Sequence, residues 1–231
     1  MDVVRLRPFF WFFGSKWRIA SVYPKPLHET IIEPFCGSAS YSLANYERNI
    51  ILYDKNPDIA ALWEYLIHAT PSEILALPDL EPFCDTRSLN LSHGAAALLG
   101  RWGHPGAVGA QPWIVTERGA YKWNSNYHLR ERIASQLQYI RHWKITCQSY
   151  ETLTNQTEAT WFIDPPYQHR PNGYGGNYKV DYTKLGAWCQ MLTGQVIVCE
   201  GPKGNWLSFS PLTANRIQTG QLQLEQYWYK P

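Results

Sequence analysis

A chain of 231 residues is long enough to bury one sizeable hydrophobic core, or one core with a modest insertion. Its 21 Lys and Arg against 19 Asp and Glu leave a net charge of only +2, so a case for nucleic acid must rest on local clustering, not on the whole molecule. The five cysteines, Cys36, Cys84, Cys147, Cys189 and Cys199, are odd in number and never spaced as C-x-x-C, which argues against a zinc cluster or disulfide framework and for a reducing cytoplasm.

The N-terminal stretch MDVVRLRPFFWFFGSKWR carries the apolar run FFWFF between charges. That run is too short to span a bilayer, and its flanks lack the features of a signal peptide, so no membrane association is expected. Within FFGSKWR, Phe12 to Arg18, the Gly-Ser step allows a close backbone approach and Lys16 could meet a carboxylate at the far end of a ligand. The phosphate-loop pattern G-x-x-x-x-G-K-[ST] is absent, and a solvated lysine after a turn is the plainer reading.

Four short apolar runs read as buried strands: TIIEPF (Thr30 to Phe35), NIILYD (Asn49 to Asp54), TWFID (Thr160 to Asp164) and QVIVCE (Gln195 to Glu200). Apolar runs without strict alternation suit a parallel sheet covered on both faces. WKITCQSY, ending at Tyr150, is a weaker fifth. Between them lie the helix candidates SASYSLANY, NPDIAALWEYLIHA and DYTKLGAWCQML. In the second, Asn56 can cap, Pro57 suits the first turn, and Ile59, Leu62, Trp63 and Leu66 form one stripe. Alternating strands and helices predict βαβ units and an α/β fold, closed by an antiparallel pair from RIQTG and QLQLEQYWYK.

From about Pro71 to Arg141 the rhythm breaks, and the chain reads as an inserted, largely helical subdomain. Between Arg101 and Lys144 stand seven Lys and Arg against two Glu, a local net of +5 that exceeds the charge of the whole chain. Arg118, Lys122, Asn124 and Asn126 are its candidate base or phosphate contacts; a solvated basic helix is the alternative.

Two segments point to a nucleotide-like ligand. In EPFCGSAS, Glu33 to Ser40, a strand ends in an acid and small residues open a helix, which leaves backbone amides free at the sheet edge. A single glycine there also suits an ordinary turn. Asp54 lies roughly 20 residues beyond a strand–turn step, the offset at which nucleotide-binding sheets place a carboxylate on ribose hydroxyls. An aspartate ending a strand equally suits a helix cap.

WFIDPPYQHR, Trp161 to Arg170, ends a strand in a carboxylate and two prolines. Pro has no N–H and a fixed φ, so the pair stops the strand and stiffens the segment after it. Asp164 and the Pro165 carbonyl then offer two fixed acceptors suited to an amino group, and Tyr167 offers a face for a planar base, worth about 1–3 kcal/mol in nucleic-acid complexes.

GSK, EPFCGSAS, YDKN and DPPY, in that order, with an insertion ahead of DPPY and CQSY at the strand end before it, resemble the Dam-type adenine-specific DNA methyltransferases across nearly the whole chain. The resemblance implies a doubly wound, seven-stranded methyltransferase sheet formed by 1–70 and 142–231, with 71–141 as a target-recognition subdomain. It implies S-adenosyl-L-methionine as methyl donor, with Phe12, Gly14 and Lys16 at its methionine portion and Glu33, Phe35 and Gly37 lining the floor. Asp54 would hold the ribose hydroxyls, Tyr150 would border the adenine ring, and Asp164 would face cofactor and substrate.

Asp164, Pro165, Pro166 and Tyr167 would act on the exocyclic amine of a flipped adenine, and no metal is expected. The Gly-rich stretch after DPPY reads either as a loop closing over the base, with Arg170 and Lys179 near phosphates, or as a disordered surface turn. The expected partner is double-stranded DNA, bound by a monomer in a bacterial or phage-infected cytoplasm. Ser15 and Ser38-Ala39 depart mildly from the family pattern, and its Phe-Asn-x-Pro-Tyr-Gly run is missing, so a GATC target is not inferred. An RNA adenine methyltransferase with the same pocket and an inactive nucleic-acid-binding remnant are the competing readings.

Overall fold

A computed structural model describes residues 4–105, 113–154, 157–169, 180–216 and 222–231, with backbone alone at 213–216 and 222–224. Seven strands form one sheet: β1 (Thr30–Glu33), β2 (Asn49–Asp54), β3 (Lys144–Cys147), β4 (Ala159–Ile163), β5 (Gly194–Glu200), β6 (Ser210–Arg216) and β7 (Leu222–Lys230). Their order is β3-β2-β1-β4-β5-β7-β6. The first five are parallel, and β7 runs antiparallel to both β5 and β6. The protein is therefore α/β, with a mostly parallel sheet and an antiparallel C-terminal hairpin.

The apolar runs become strands for the expected reason. All five residues of β4 are buried, as a central strand covered on both faces demands. It ends at Ile163, one residue before Asp164, because the following prolines cannot extend the ladder. The C-terminal pair departs from expectation, since β6 begins at Ser210 well ahead of RIQTG. Pro211 is tolerated there because β6 is the sheet edge and pairs only with β7.

Helices α1 (Ser40–Ala44), α2 (Pro57–His68) and α7 (Tyr182–Met191) fall where the sequence places them. The Asn56 side chain accepts the Asp58 amide at 2.9 Å, and Pro57 occupies the first turn. Ile59, Leu62, Trp63 and Leu66 are all buried, so the expected stripe faces the core.

The insertion supplies α3 (Pro71–Leu75), α4 (His93–Gly103), α5 (Glu117–Asn124) and α6 (Tyr127–Gln136). Its Leu98, Trp123 and Ile133 belong to the same buried cluster as Ile31, Leu52 and Phe162 of the sheet, so the helices share the sheet's core. Close backbone approach makes this possible. A Cβ on Gly94 of α4 would lie 2.2 Å from the Ala61 carbonyl oxygen of α2, and one on Gly119 of α5 would lie 1.8 Å from the Gly103 carbonyl oxygen of α4.

From β1 the chain works outward through β2 to β3, then returns to β4 on the other side of β1. Such a reversal opens a crevice at the carboxyl ends of the two central strands, where open α/β sheets bind ligands. Glu33 ends β1 and Asp164 follows β4.

Candidate active site at the sheet switch point

Lys16, 2% exposed, is the organising cation of this edge. The turn Phe12–Ser15 reverses through Gly14 at φ 81°, a backbone state that suits glycine, and so turns Lys16 inward. Its Nζ donates to the Gly14 carbonyl at 2.7 Å and to Asp164 Oδ2 at 3.0 Å. Asp164 Oδ1 also lies 2.9 Å away, but without hydrogen-bond alignment, so that oxygen has no hydrogen-bond partner among the described residues. Burial pushes the Asp164 carboxyl up to about 6 even though Lys16 pulls it down; Glu225 and Glu200 add to the rise. The side chain keeps 19% exposure and so remains reachable.

Tyr167 departs from its expected role as an open stacking face. It is 6% exposed, with the Lys16 ammonium 4.7 Å from its ring centroid and Gly201 so close that a Cβ there would lie 2.9 Å from Cδ2. Its hydroxyl donates to the Glu225 carboxylate. A buried phenol needs such an acceptor, and a buried ammonium gains from an aromatic face, so the ring is held from several sides. Pro165 is buried, and the Pro166 carbonyl accepts the Tyr182 hydroxyl at 2.7 Å, tying the loop to α7. Glu200, fully buried at the end of β5, accepts the Gly201 and Gln168 amides at 2.7 and 3.3 Å and joins the two neighbouring loops.

The β1–β2 side is bound to local backbone. Asp54 accepts the Gly37 amide at 3.1 Å and the Asn56 amide at 2.9 Å, one on each oxygen. Burial raises its pKa despite those bonds and despite the nearby charge of Arg101. Glu33 accepts the Ser42 amide at 2.7 Å and so serves the first turn of α1, while burial pushes its carboxyl up to about 8. Gly37, at φ 43°, carries the Phe12 ring against it, and a Cβ there would stand 2.6 Å from Phe12 Cε1. Phe35 packs on Tyr150 with ring centroids 5.2 Å apart.

Only some of these residues line one of two separate hollows, and Asp164, Asp54, Glu33 and Gly37 line neither. Phe35 and Tyr150 line a small one of about 30 Å³ with Pro34, Lys55 and Asp181. Phe12, Gly14, Lys16 and Tyr167 line a cleft of about 910 Å³ that runs between the N-terminal segment and the helices of the insertion. Six Lys and Arg side chains, from Arg7, Lys16, Arg18, Arg101, Lys122 and Arg132, line the cleft against a single carboxylate, Glu225. Trp11, Phe12 and Trp102 add aromatic surface, with Lys122 and Arg101 over the Trp11 and Phe12 rings at 5.2 and 5.3 Å.

The expected nucleic-acid contacts divide. Lys122 and Asn126 line the cleft, and Arg118 is exposed. Asn124 is otherwise employed: its amide accepts the Leu80 N–H at 2.8 Å and donates to the Leu80 carbonyl at 2.9 Å, so both its ends hold the backbone of the insertion. Part of the local +5 is likewise spent on structure, since Arg141 donates to the Ile67 and Ala69 carbonyls and Arg130 pairs with Asp79. Arg170 and Lys179 lie outside the described residues. The sequence singles out neither Arg7 nor Glu225, and marks Arg132 only as one charge of the +5 stretch. Arg7 stands nine residues before Lys16, but nothing in its spacing marks it, and Glu225 is brought to Tyr167 only by the antiparallel hairpin.

Among the described residues no His, Cys, Asp and Glu cluster is arranged to hold a metal ion, and no helix is long and apolar enough to cross a membrane. Comparison with protein-family models and with curated proteins returns no match to this chain.

Proposed function

We propose that the protein is an S-adenosyl-L-methionine-dependent adenine methyltransferase acting on double-stranded DNA. The observation that carries this reading is the Lys16–Asp164 pair, which joins GSK and DPPY across 148 residues at the switch point of the sheet, beside a cationic and aromatic cleft. Two motifs matched independently in sequence thus converge on one spot, as a shared ligand site requires.

The residues fit the methyl donor by their donor and acceptor chemistry. Asp54 accepts one amide on each oxygen and keeps further lone pairs for ribose hydroxyls. Gly37 has no side chain to fill the space against Phe12, and the Phe35–Tyr150 pair offers an aromatic border for an adenine ring. Lys16 is the cation for a carboxylate. When bound, the cofactor supplies an electrophilic sulfonium methyl.

The chain's own residues supply positioning and electrostatics. Adenine's exocyclic nitrogen is a poor nucleophile while its lone pair is spread into the ring. Ionised Asp164 and the Pro165 carbonyl accept its two N–H groups, which favours a pyramidal nitrogen with a localised lone pair. Any anion that draws Lys16 away frees Asp164 for this task, and also uncovers the Tyr167 face for a base. Glu225 holds the Tyr167 ring in place meanwhile.

Incubation with methyl-labelled S-adenosylmethionine and either duplex DNA or structured RNA tests the reading. Label on adenine in DNA is expected, and Asp164→Ala should abolish it. Label confined to RNA would transfer the same chemistry to an RNA substrate. Absence of cofactor binding by calorimetry would overturn the reading altogether.

A further inference from the structure

Two of the cleft's cations stand apart. Lys16 is paired with Asp164, Arg101 and Lys122 lie over aromatic rings, and Arg18 has a partner of its own. Arg7 and Arg132 line the same cleft, and neither forms an ion pair with a carboxylate among the described residues. Arg132 is held by its guanidinium and Arg7 by its backbone, the Arg7 side chain being exposed. The Gln136 side chain accepts the Arg7 amide at 2.8 Å and donates to its carbonyl at 3.0 Å, and Arg132 Nη1 donates to the Pro8 carbonyl at 3.0 Å. Gln136 and Arg132 lie one turn apart on α6, so one helix anchors the Arg7 backbone and supplies the Arg132 guanidinium beside it.

We propose that Arg7 and Arg132 form a clamp for a backbone phosphodiester of the nucleic-acid strand that enters the cleft. A guanidinium on a single carbonyl retains donors for a second acceptor, and its planar fork matches phosphate oxygens. Burial, followed by the like charge of Arg7, pushes Arg132 down to about 10, the direction expected of a cation awaiting its anion. The ligand class is set by the surroundings: the cleft's aromatic and cationic lining suits a strand with bases and phosphates, and the N-terminal segment bearing Arg7 leads directly to Lys16 and Asp164.

The clamp rests on the nucleic-acid substrate proposed for this site but not on methyl transfer, and binding alone tests it. The probe is a fluorescently labelled DNA duplex, followed by anisotropy against salt concentration, with an unlabelled single strand and inorganic phosphate as competitors. Arg7→Ala, whose side chain makes no hydrogen bond among the described residues, should weaken binding several-fold at every sequence and reduce the salt slope by about 1. Arg132→Lys should weaken it too, because the charge remains while the fork is lost.

Arg7→Ala should keep the wild-type melting temperature, Arg132→Lys, which gives up the guanidinium bond to the Pro8 carbonyl, should lower it slightly, and both should bind S-adenosylmethionine unchanged. Wild-type affinity and slope in Arg7→Ala would overturn the clamp, as would a loss confined to cofactor binding. Inorganic phosphate that competes as well as the oligonucleotides, at equal phosphate, would overturn the assignment to a strand. Weakened binding without methyl transfer by the wild type would leave the clamp standing and remove the methyltransferase reading. Methyl transfer with unaltered binding in the variants would do the reverse.

Discussion

Asp54 and Asp164 both follow or end parallel strands of one sheet, and burial raises both carboxyls, yet their partners differ in kind. Asp54 takes backbone amides from Gly37 and Asn56, groups that the fold cannot withdraw. Asp164 takes a side-chain ammonium that can be drawn away by a competing anion. One edge is a fixed frame and the other is an exchangeable ion pair. Ligand chemistry that needs a carboxylate to change partners belongs on the second.

Variants at the exchangeable pair should show the largest effects. Asp164→Asn should lower methyl transfer by about 10²–10³-fold, the range seen when one preorganised electrostatic group is removed. It should also destabilise, because buried Lys16 would lose the Asp164 charge with which it is paired, at a cost of up to about 3–5 kcal/mol. The double variant Lys16→Met/Asp164→Asn should recover much of that stability and none of the activity, as thermal melts and label transfer would reveal. A double variant as unstable as Asp164→Asn would break the pairing argument.

The proposed methyl-transfer rate of the wild type should fall as pH drops through about 6 or somewhat above, because protonated Asp164 is a poorer acceptor for the amine and withdrawal of Lys16 lifts its carboxyl further. A flat profile from pH 5 to pH 8 would assign the acceptor role elsewhere. On the fixed side, Asp54→Ala strands two backbone amides and should cost about 1–3 kcal/mol in denaturant melts, together with weaker cofactor binding by calorimetry. If stability is unchanged, the amide frame is not what holds that edge.

Glu33 gives a smaller, pH-dependent effect. Its folded pKa of about 8 lies above the ordinary 4.5, so the folded state binds more protons in that window and stability falls as pH rises through it. Glu33→Gln should flatten this decline, with the advantage of the variant growing from pH 5 to pH 9. Asn124→Ala should cost about 1 kcal/mol of stability, because both Leu80 backbone groups lose their partner. Its duplex affinity should match the wild type; a clear loss would return Asn124 to the DNA-contacting set.

The two edges also differ in how legible they were. Asp54, Gly37 and the β2 boundary follow from short-range patterns: an apolar run that must stop, a capping asparagine, a proline in the first turn. Lys16 meeting Asp164 was not anticipated: motif likeness put both near one cofactor but not in contact, since no local rule couples residues 148 positions apart. Asn124 misled because an amide in a basic stretch looks available until its partner, Leu80, is found 44 residues away. Tyr167 was legible only in part, since the sequence marks an aromatic ring but not the glycine and ammonium packed against it.

By itself the sequence determined the α/β class, the parallel core strands and the acidic residues at their ends, because apolar periodicity and Pro or Gly punctuation act within a few residues. Only the tertiary structure decided which charges remain available for a ligand. Salt bridges, carbonyl caps and ring contacts form between distant segments, and they consume Arg130, Arg141 and Asn124 while leaving Arg7 and Arg132 lining the cleft without a carboxylate among the described residues. A charge count along the chain cannot make that division, since burial and partner distance set it.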